Sequence, residues 1–448
     1  MTVPCVRTLI VSDLHLSPER GCGLFRSDVE FAGFLKWAQE QVPPARLVLA
    51  GDSLDFLVPE MGAGPLEPFD PEGAVRRVRC ILDSHQEVFD GLGAIARTPG
   101  CTITWISGNH DPELAIPEVR AAVEDRLWLR SVPGNPIHWL VAGEAFRFVA
   151  GGATVLVAHG DLLDPWNWID HERLQHQVRL HSRGLTARSN YRQPPGTRLV
   201  NEHALRLRPK HPWIDVLHPS RQAMYPILSE FVSPEDRWNY LDLLKTSAER
   251  VQYSWLPIFL DGHGPRRIEY AEPSREPWPR RMLTWLAGMK PPTSRYARLI
   301  DDLQVVAAED DSADPRAPDE TMADVERLIT YGRNDLVILG HTHCAKSYAV
   351  ITDRDQVGRP RRNGLYMNTG TWAELLRLPR STDTALWESF LGDLERNQYT
   401  PERLPTFVDV SEAPDGATAS ASLREWTEPG IRVIDTRHFD RTRCAWLH

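Results

Sequence analysis

The sequence lacks a long apolar run: none approaches the roughly 20 residues that a membrane-spanning helix needs, so no transmembrane segment is expected. The N-terminal apolar stretch is only Leu9-Ile10-Val11 and flows straight into Asp13 and His15. Cleaving a secretory leader there would remove chemistry-bearing residues, which makes a cytoplasmic location the expectation. Cysteine is scarce. The six (Cys5, Cys22, Cys80, Cys101, Cys344, Cys444) are scattered with no C-x-x-C spacing. That argues against a zinc ribbon or a disulfide framework and suits a reducing compartment. An excess of positive charge is missing too. The formal net charge of -10 argues against a uniformly basic nucleic-acid-binding surface but leaves a local patch open. No internal repeat is present.

What the chain has is length and alternation. At 448 residues it exceeds one compact core, so a domain carrying a large insertion is expected. Strand-like runs at Thr8 to Ser12, Leu47 to Ala50 and Thr102 to Ser107 each end in a polar cluster. These are Asp13-Leu14-His15, Gly51-Asp52-Ser53-Leu54-Asp55 and Gly108-Asn109-His110-Asp111. Helical patterns lie between them, near Asp28 to Gln41 and Ala74 to Ile95. In the first, Val29, Phe31, Phe34, Leu35 and Trp37 make a broad apolar face. Such alternation reads as an α/β fold, in which ligands gather at the carboxyl ends of strands. Hairpin-like strands follow at Ile137 to Val141 and Phe146 to Ala150. Thr154 to Ala158 then delivers His159-Gly160-Asp161.

From about Leu162 to Glu320 the alternation stops, and the chain becomes rich in Trp, Pro, Arg and His with helical patches. One patch is signalled by Ser233 as N-cap and Pro234 at the first helical position. The pattern resumes with a helix near Met322 to Tyr331 and a strand Asp335 to Leu339 that ends in Gly340-His341-Thr342-His343. Strand candidates follow at Tyr348 to Thr352 and Leu365 to Asn368, with weaker ones at Phe407 to Val410 and Ile431 to Ile434. The expected organisation is therefore a core first part over 1–161, a largely helical insertion or lid over 162–320, and a core second part with a C-terminal extension over 321–448.

Hard divalent cations want carboxylate and imidazole ligands on rigid elements around open positions. Asp and His at one strand end, then Asp, Asn, His and a His pair at others, meet that need without a thiolate. His341 and His343 alternate in an extended segment and so point to one face. The five blocks D-x-H, G-D-x-x-D, G-N-H-D, H-G-D and G-H-T-H resemble those of the calcineurin-like metallophosphoesterase superfamily, in the same order, over residues about 5 to 161 and 322 to 372. That resemblance implies two packed mixed sheets flanked by helices. It implies two divalent metal ions, with Mn the first choice and Fe, Zn or Mg the others. Asp13, His15, Asp52 and His343 would hold one ion, and Asp52, Asn109, His159 and His341 the other. It further implies that His110 faces the phosphate as proton donor, oriented by Asp55. An imidazole at its ordinary pKa of about 6.5 can donate near neutrality. Asp111, followed by Pro112 and Glu113, reads as a helix N-cap instead.

Within the insertion, the run from Arg173 to Arg221 reads either as a solvated face or as an electropositive lid over the site. Trp166, Trp168, Trp213 and Trp238 read as core. Phe56 stands where protein Ser/Thr phosphatases of the superfamily carry Arg, which disfavours that substrate class. The expected function is a dinuclear metal-dependent phosphodiesterase or pyrophosphatase acting on a small or lipid-linked phosphorylated substrate. A metal-dependent nuclease is one alternative. An inactive binding scaffold is another, which the retention of every ligand and of His110 disfavours.

Overall fold

The computed structural model describes residues 7–20, 23–41, 44–129, 136–185, 190–233, 296–319, 321–354, 360–413, 418–427, 430–441 and 445–447. The chain divides into two compact units: Met1–Leu205 with Asp311–Glu374 and Glu402–His448, and Arg206–Asp310 with Leu375–Pro401.

Among the described residues, the first unit is built on one sheet of thirteen strands. They are β1 (Arg7–Val11), β2 (Ala45–Ala50), β3 (Thr102–Ile106), β4 (Ile137–Leu140), β5 (Phe146–Ala150), β6 (Ala153–Val157) and β7 (Leu336–Leu339). After them come β8 (Ala345–Arg354), β9 (Pro360–Thr369), β10 (Thr406–Glu412), β11 (Thr418–Thr427), β12 (Gly430–Asp440) and β13 (Ala445–Leu447). They pair in the order β4-β3-β2-β1-β10-β11-β12-β13-β9-β7-β6-β5, with β8 on β9. The β1–β2, β2–β3 and β3–β4 pairs are parallel, and the β10–β11 and β11–β12 pairs are antiparallel.

Side chains alternate across each strand, and the alternation explains how this mixed path folds into two layers. Leu9 and Val11 of β1 and Leu47 and Leu49 of β2 pack on helices α1 (Asp28–Gln39), α2 (Pro71–Ser84), α3 (Gln86–Arg97) and α4 (Pro117–Arg126). Their neighbours Ile10, Val48 and Ala50 point the other way, into one cluster with Val155, Val157, Leu336, Ile338, Leu365 and Met367. The two wings of the path thus face each other. A helix α7 (Met322–Thr330) covers the outside of the second wing through Val325 and Ile329. Between α4 and α7 the first unit adds α5 (His171–His181) and α6 (Pro195–Leu199).

Three expectations need correction. The pattern from Ala74 to Ile95 is two helices, parted at His85. This fully buried imidazole meets the Asp28 carboxylate at 2.7 Å and the Ser17 carbonyl at 2.9 Å, so the junction is pinned to its surroundings instead of continuing as helix. Val29, assigned to the apolar face of α1, is 70% exposed. Ile137–Leu140 and Phe146–Ala150 do not form a hairpin: β4 pairs with β3 and β5 with β6, at opposite ends of the path. The helix signalled from Ser233 and Pro234 lies outside the described residues, as does Trp238.

The second unit contains helices Ser220–Phe231, Ala297–Glu309 and Thr384–Glu395, and a short parallel pairing of Leu217–His218 with Leu376 and Arg377. Trp213 is fully buried there. Trp166 and Trp168, in the first unit, are half-buried.

Candidate metal centre

The expected site residues converge, because parallel strands deliver their ends to one edge. The loop after β1 is laced to the loop after β2 by backbone bonds: Asp13 N to Gly51 O at 3.1 Å, His15 N to Asp52 O at 2.9 Å and Leu16 N to Ser53 O at 3.0 Å. Five of the site residues (Asp13, His15, Asp52, His341 and His343) have φ between 47° and 70°. Non-glycine residues rarely hold that left-handed conformation, and where they do it commonly marks a functional site. Gly51 precedes Asp52 at φ 92°, and a Cβ there would sit 2.3 Å from the His159 ring. Only glycine allows that approach.

Three overlapping donor groups result: Asp13, His15 and His343; His15, Asp52 and His110; and Asp52, His159 and His341. His343 Nε2 lies 3.3 Å from Asp13 Oδ1 and 3.0 Å from His15 Nε2. His159 Nε2 lies 3.1 Å from Asp52 Oδ2 and 3.3 Å from Asn109 Oδ1. Asn109 is therefore beside the third group.

The arrangement around His159 tests whether a cation fits. Its Nδ1 is 3.0 Å from the Ala50 carbonyl oxygen, which can only accept, so Nδ1 carries a proton. In the neutral ring, Nε2 then presents a lone pair to two oxygen acceptors. A proton or a cation must separate them. Buried in that oxygen-lined place, His159 loses some affinity for a proton to burial, but Asp52 and Asp13 raise its pKa well above the ordinary value. Burial opposes ionisation of Asp52, yet His159, His110 and His15 hold it well below the usual carboxylate range. An acid kept anionic among imidazoles is a fit place for a divalent ion.

His110 is 22% exposed at its side chain, and its Nδ1 lies 3.2 Å from Asp55 Oδ1. Burial works to lower its pKa, but Asp52 and Asp55 raise it to about 9. This departs from the ordinary value of about 6.5 assumed on sequence grounds. Asp55 is held far below the usual range by His110 and His15 against the cost of burial.

Asp111 corrects another expectation. It stands before the short 3-10 turn Pro112–Ala115, but its carboxylate makes no cap. Instead it accepts from the backbone N–H of Ser53 at 2.9 Å, Leu54 at 3.2 Å and Gly108 at 2.6 Å, tying two site loops together. Burial and the nearby Asp52 push its pKa up to about 7. Sequence reasoning also passed over Asp164, whose Oδ2 lies 3.1 Å from His341 Nε2. The only available signal was the turn-forming run Asp164-Pro165-Trp166-Asn167.

The basic run is mixed in character. Arg173, Arg198 and Arg208 pair with Asp170, Glu202 and Asp215, while Arg179, Arg183 and Arg192 are exposed. No helix among the described residues is long and apolar enough to cross a membrane.

Comparison with known families finds a match between residues 6–345 and the calcineurin-like phosphoesterase model. Comparison with curated protein sequences finds no match. Among solved structures, the chain is similar to the crystal structure of a single mutant of Vps29 from Entamoeba histolytica. The alignment has 8% identity over 97% of this chain and 99% of that one, with a TM-score of 0.29. A likeness that weak carries no argument. The family match and the buried Asp and His groups support a metal-dependent phosphoesterase in general terms. With most of its length matched, the chain belongs to the calcineurin-like phosphoesterase family.

Proposed function

We propose that this protein is a dinuclear metal-dependent hydrolase of phosphate esters, acting as a phosphodiesterase or pyrophosphatase on a small or lipid-linked substrate. The observation that carries the reading is the position of Asp52. Its Oδ2 lies 4.0 Å from Nε2 of His15, which is grouped with Asp13 and His343, and 3.1 Å from Nε2 of His159, which is grouped with His341. Asp13, His15, Asp52 and His343 would hold one divalent ion, and Asp52, Asn109, His159 and His341 the second. A pair of such ions, when bound, would supply Lewis acidity toward the phosphoryl oxygens and lower the pKa of water.

The chain's own groups account for the rest. His110 has one nitrogen engaged by Asp55, which leaves Nε2 to donate a proton to the leaving oxygen. Asp52 and Asp55 raise its pKa to about 9 before any ion is counted; a cation on Asp52 would offset part of that rise, so the contact with Asp55 is what keeps the proton on His110. His110 is a weaker acid for holding it. The backbone N–H of His110 donates to Asp52 Oδ1 at 2.8 Å, which fixes the acid's position relative to the shared carboxylate. The exposed Arg179, Arg183 and Arg192 favour a polyanionic substrate as the second reading, in which the activity is that of a nuclease.

The test is turnover of bis(p-nitrophenyl) phosphate with added Mn2+, paired with elemental analysis of the reconstituted protein. Two ions per chain and measurable turnover are expected, with Asp52→Asn lowering turnover by roughly 100-fold or more. No turnover with any divalent metal would leave a binding scaffold of the same fold. A panel of nucleoside diphosphate adducts, lipid-linked pyrophosphates and single-stranded DNA then separates the two substrate readings.

A further inference from the structure

His341 stands at the end of β7, and its backbone N–H donates to Asp13 Oδ2 at 3.0 Å. An imidazole ring can still rotate about its side-chain bonds and present either nitrogen to a ligand. In this site one nitrogen is taken: Nε2 lies 3.1 Å from Asp164 Oδ2. Nδ1 is the nitrogen left for the donor group that His341 shares with Asp52 and His159. A carboxylate on the outer nitrogen of a ligating histidine fixes its tautomer and raises its basicity.

Asp164 is itself fixed. It is 9% exposed. Its Oδ1 accepts from the Trp166 N–H at 3.0 Å and its Oδ2 from Asn167 Nδ2 at 2.8 Å. That turn is in turn clamped by the start of α6. Gly196 N donates to the Trp166 carbonyl at 2.8 Å. A Cβ on Gly196 would lie 2.1 Å from Asn167 Oδ1, so a larger residue there would displace the Asn167 amide. A continuous series of contacts therefore runs from Gly196 through Trp166 and Asn167 to Asp164, and from Asp164 to His341. None of these residues before His341 belongs to the blocks from which the site was read.

We infer that Asp164 is a positioning residue for His341, and that the turn from Asp164 to Asn167, held by Gly196, sets the affinity of one metal position. The inference rests on the proposal that His341 is a metal ligand. It gives the opening of the sequence insertion a role in building the metal centre itself.

The experiment is calorimetric titration of chelator-stripped, full-length protein with Mn2+. Asp164→Ala is expected to weaken one of two sites by about 10–100-fold and leave the other unchanged. Asp164→Asn keeps an acceptor oxygen in place, so its loss should be about tenfold or less. It carries the test alone if the alanine variant does not fold. In a His341→Ala background, Asp164→Ala should cause no additional loss, because a residue acting through His341 has nothing left to position. Affinity unchanged in both Asp164 variants, or the same loss with and without His341, would overturn the inference. If the unsubstituted protein took up fewer than two ions, the two-ion reading would fall and the inference with it. If it bound two ions and the Asp164 variants bound them just as tightly, this inference alone would fall.

Discussion

At the scale of single residues, the proposed site divides between candidate ligands and the groups that keep them in place. Three of its imidazoles each have an oxygen neighbour from outside the candidate ligands: Ala50 for His159, Asp55 for His110 and Asp164 for His341. The candidate ligands could be picked out because each stands in a short block at a strand end. Asp111 and Asp164 were not legible in the same way, since a carboxylate that works on backbone N–H groups or on a histidine from another segment has no fixed spacing from its partner. One prediction belongs to this scale. His110→Ala should lower turnover of alkyl phosphodiesters by about 100-fold and that of nitrophenyl esters by less than about tenfold, because nitrophenolate leaves without a proton. Parallel kinetics on the two substrate types checks it, and equal losses would remove His110 from the acid role.

Among the elements, the strands that carry the site were the ones best marked in the sequence, being continuous apolar runs buried on both faces. Thr418–Thr427 gave no signal. Ser420, Ser422 and Arg424 alternate there with Ala419, Ala421 and Leu423, small and polar residues that make no apolar run, and its two antiparallel neighbours make it a strand. The misassigned hairpin had a different cause. Consecutive strands are usually neighbours, but here the link from Leu140 to Phe146 joins strands at the two ends of the path. The turns are more demanding than the strands. Gly51→Ala would combine an unfavourable φ with a collision against the His159 ring. A loss of about 2–3 kcal/mol in stability is expected, with turnover reduced by roughly tenfold or more. A denaturant midpoint measured beside the activity assay checks both, and a fully active, fully stable variant would contradict the close approach.

On the scale of the whole molecule, the opening part of the insertion belongs to the first unit's interior. Ile169, Leu174, Val178 and Tyr191 lie in the same apolar cluster as Leu114, Val119 and the outward residues of β1 and β2. Leu174→Ala should therefore cost about 2–5 kcal/mol, read from the denaturation midpoint. A surface lid residue would cost well under about 1 kcal/mol. The pairing of β1 with β10 has a different kind of consequence. It joins Thr8 to Val410 and Ile10 to Val408, so β1 finds this second neighbour only after about 400 further residues have been made. At about 5–20 residues per second of synthesis, the open side of β1 waits on the order of 20–80 s on the ribosome. During that interval a row of unpaired backbone groups flanked by Leu9, Ile10 and Val11 is available to any other nascent strand. A half-made chain therefore carries an unprotected strand edge of the kind that holding chaperones cover.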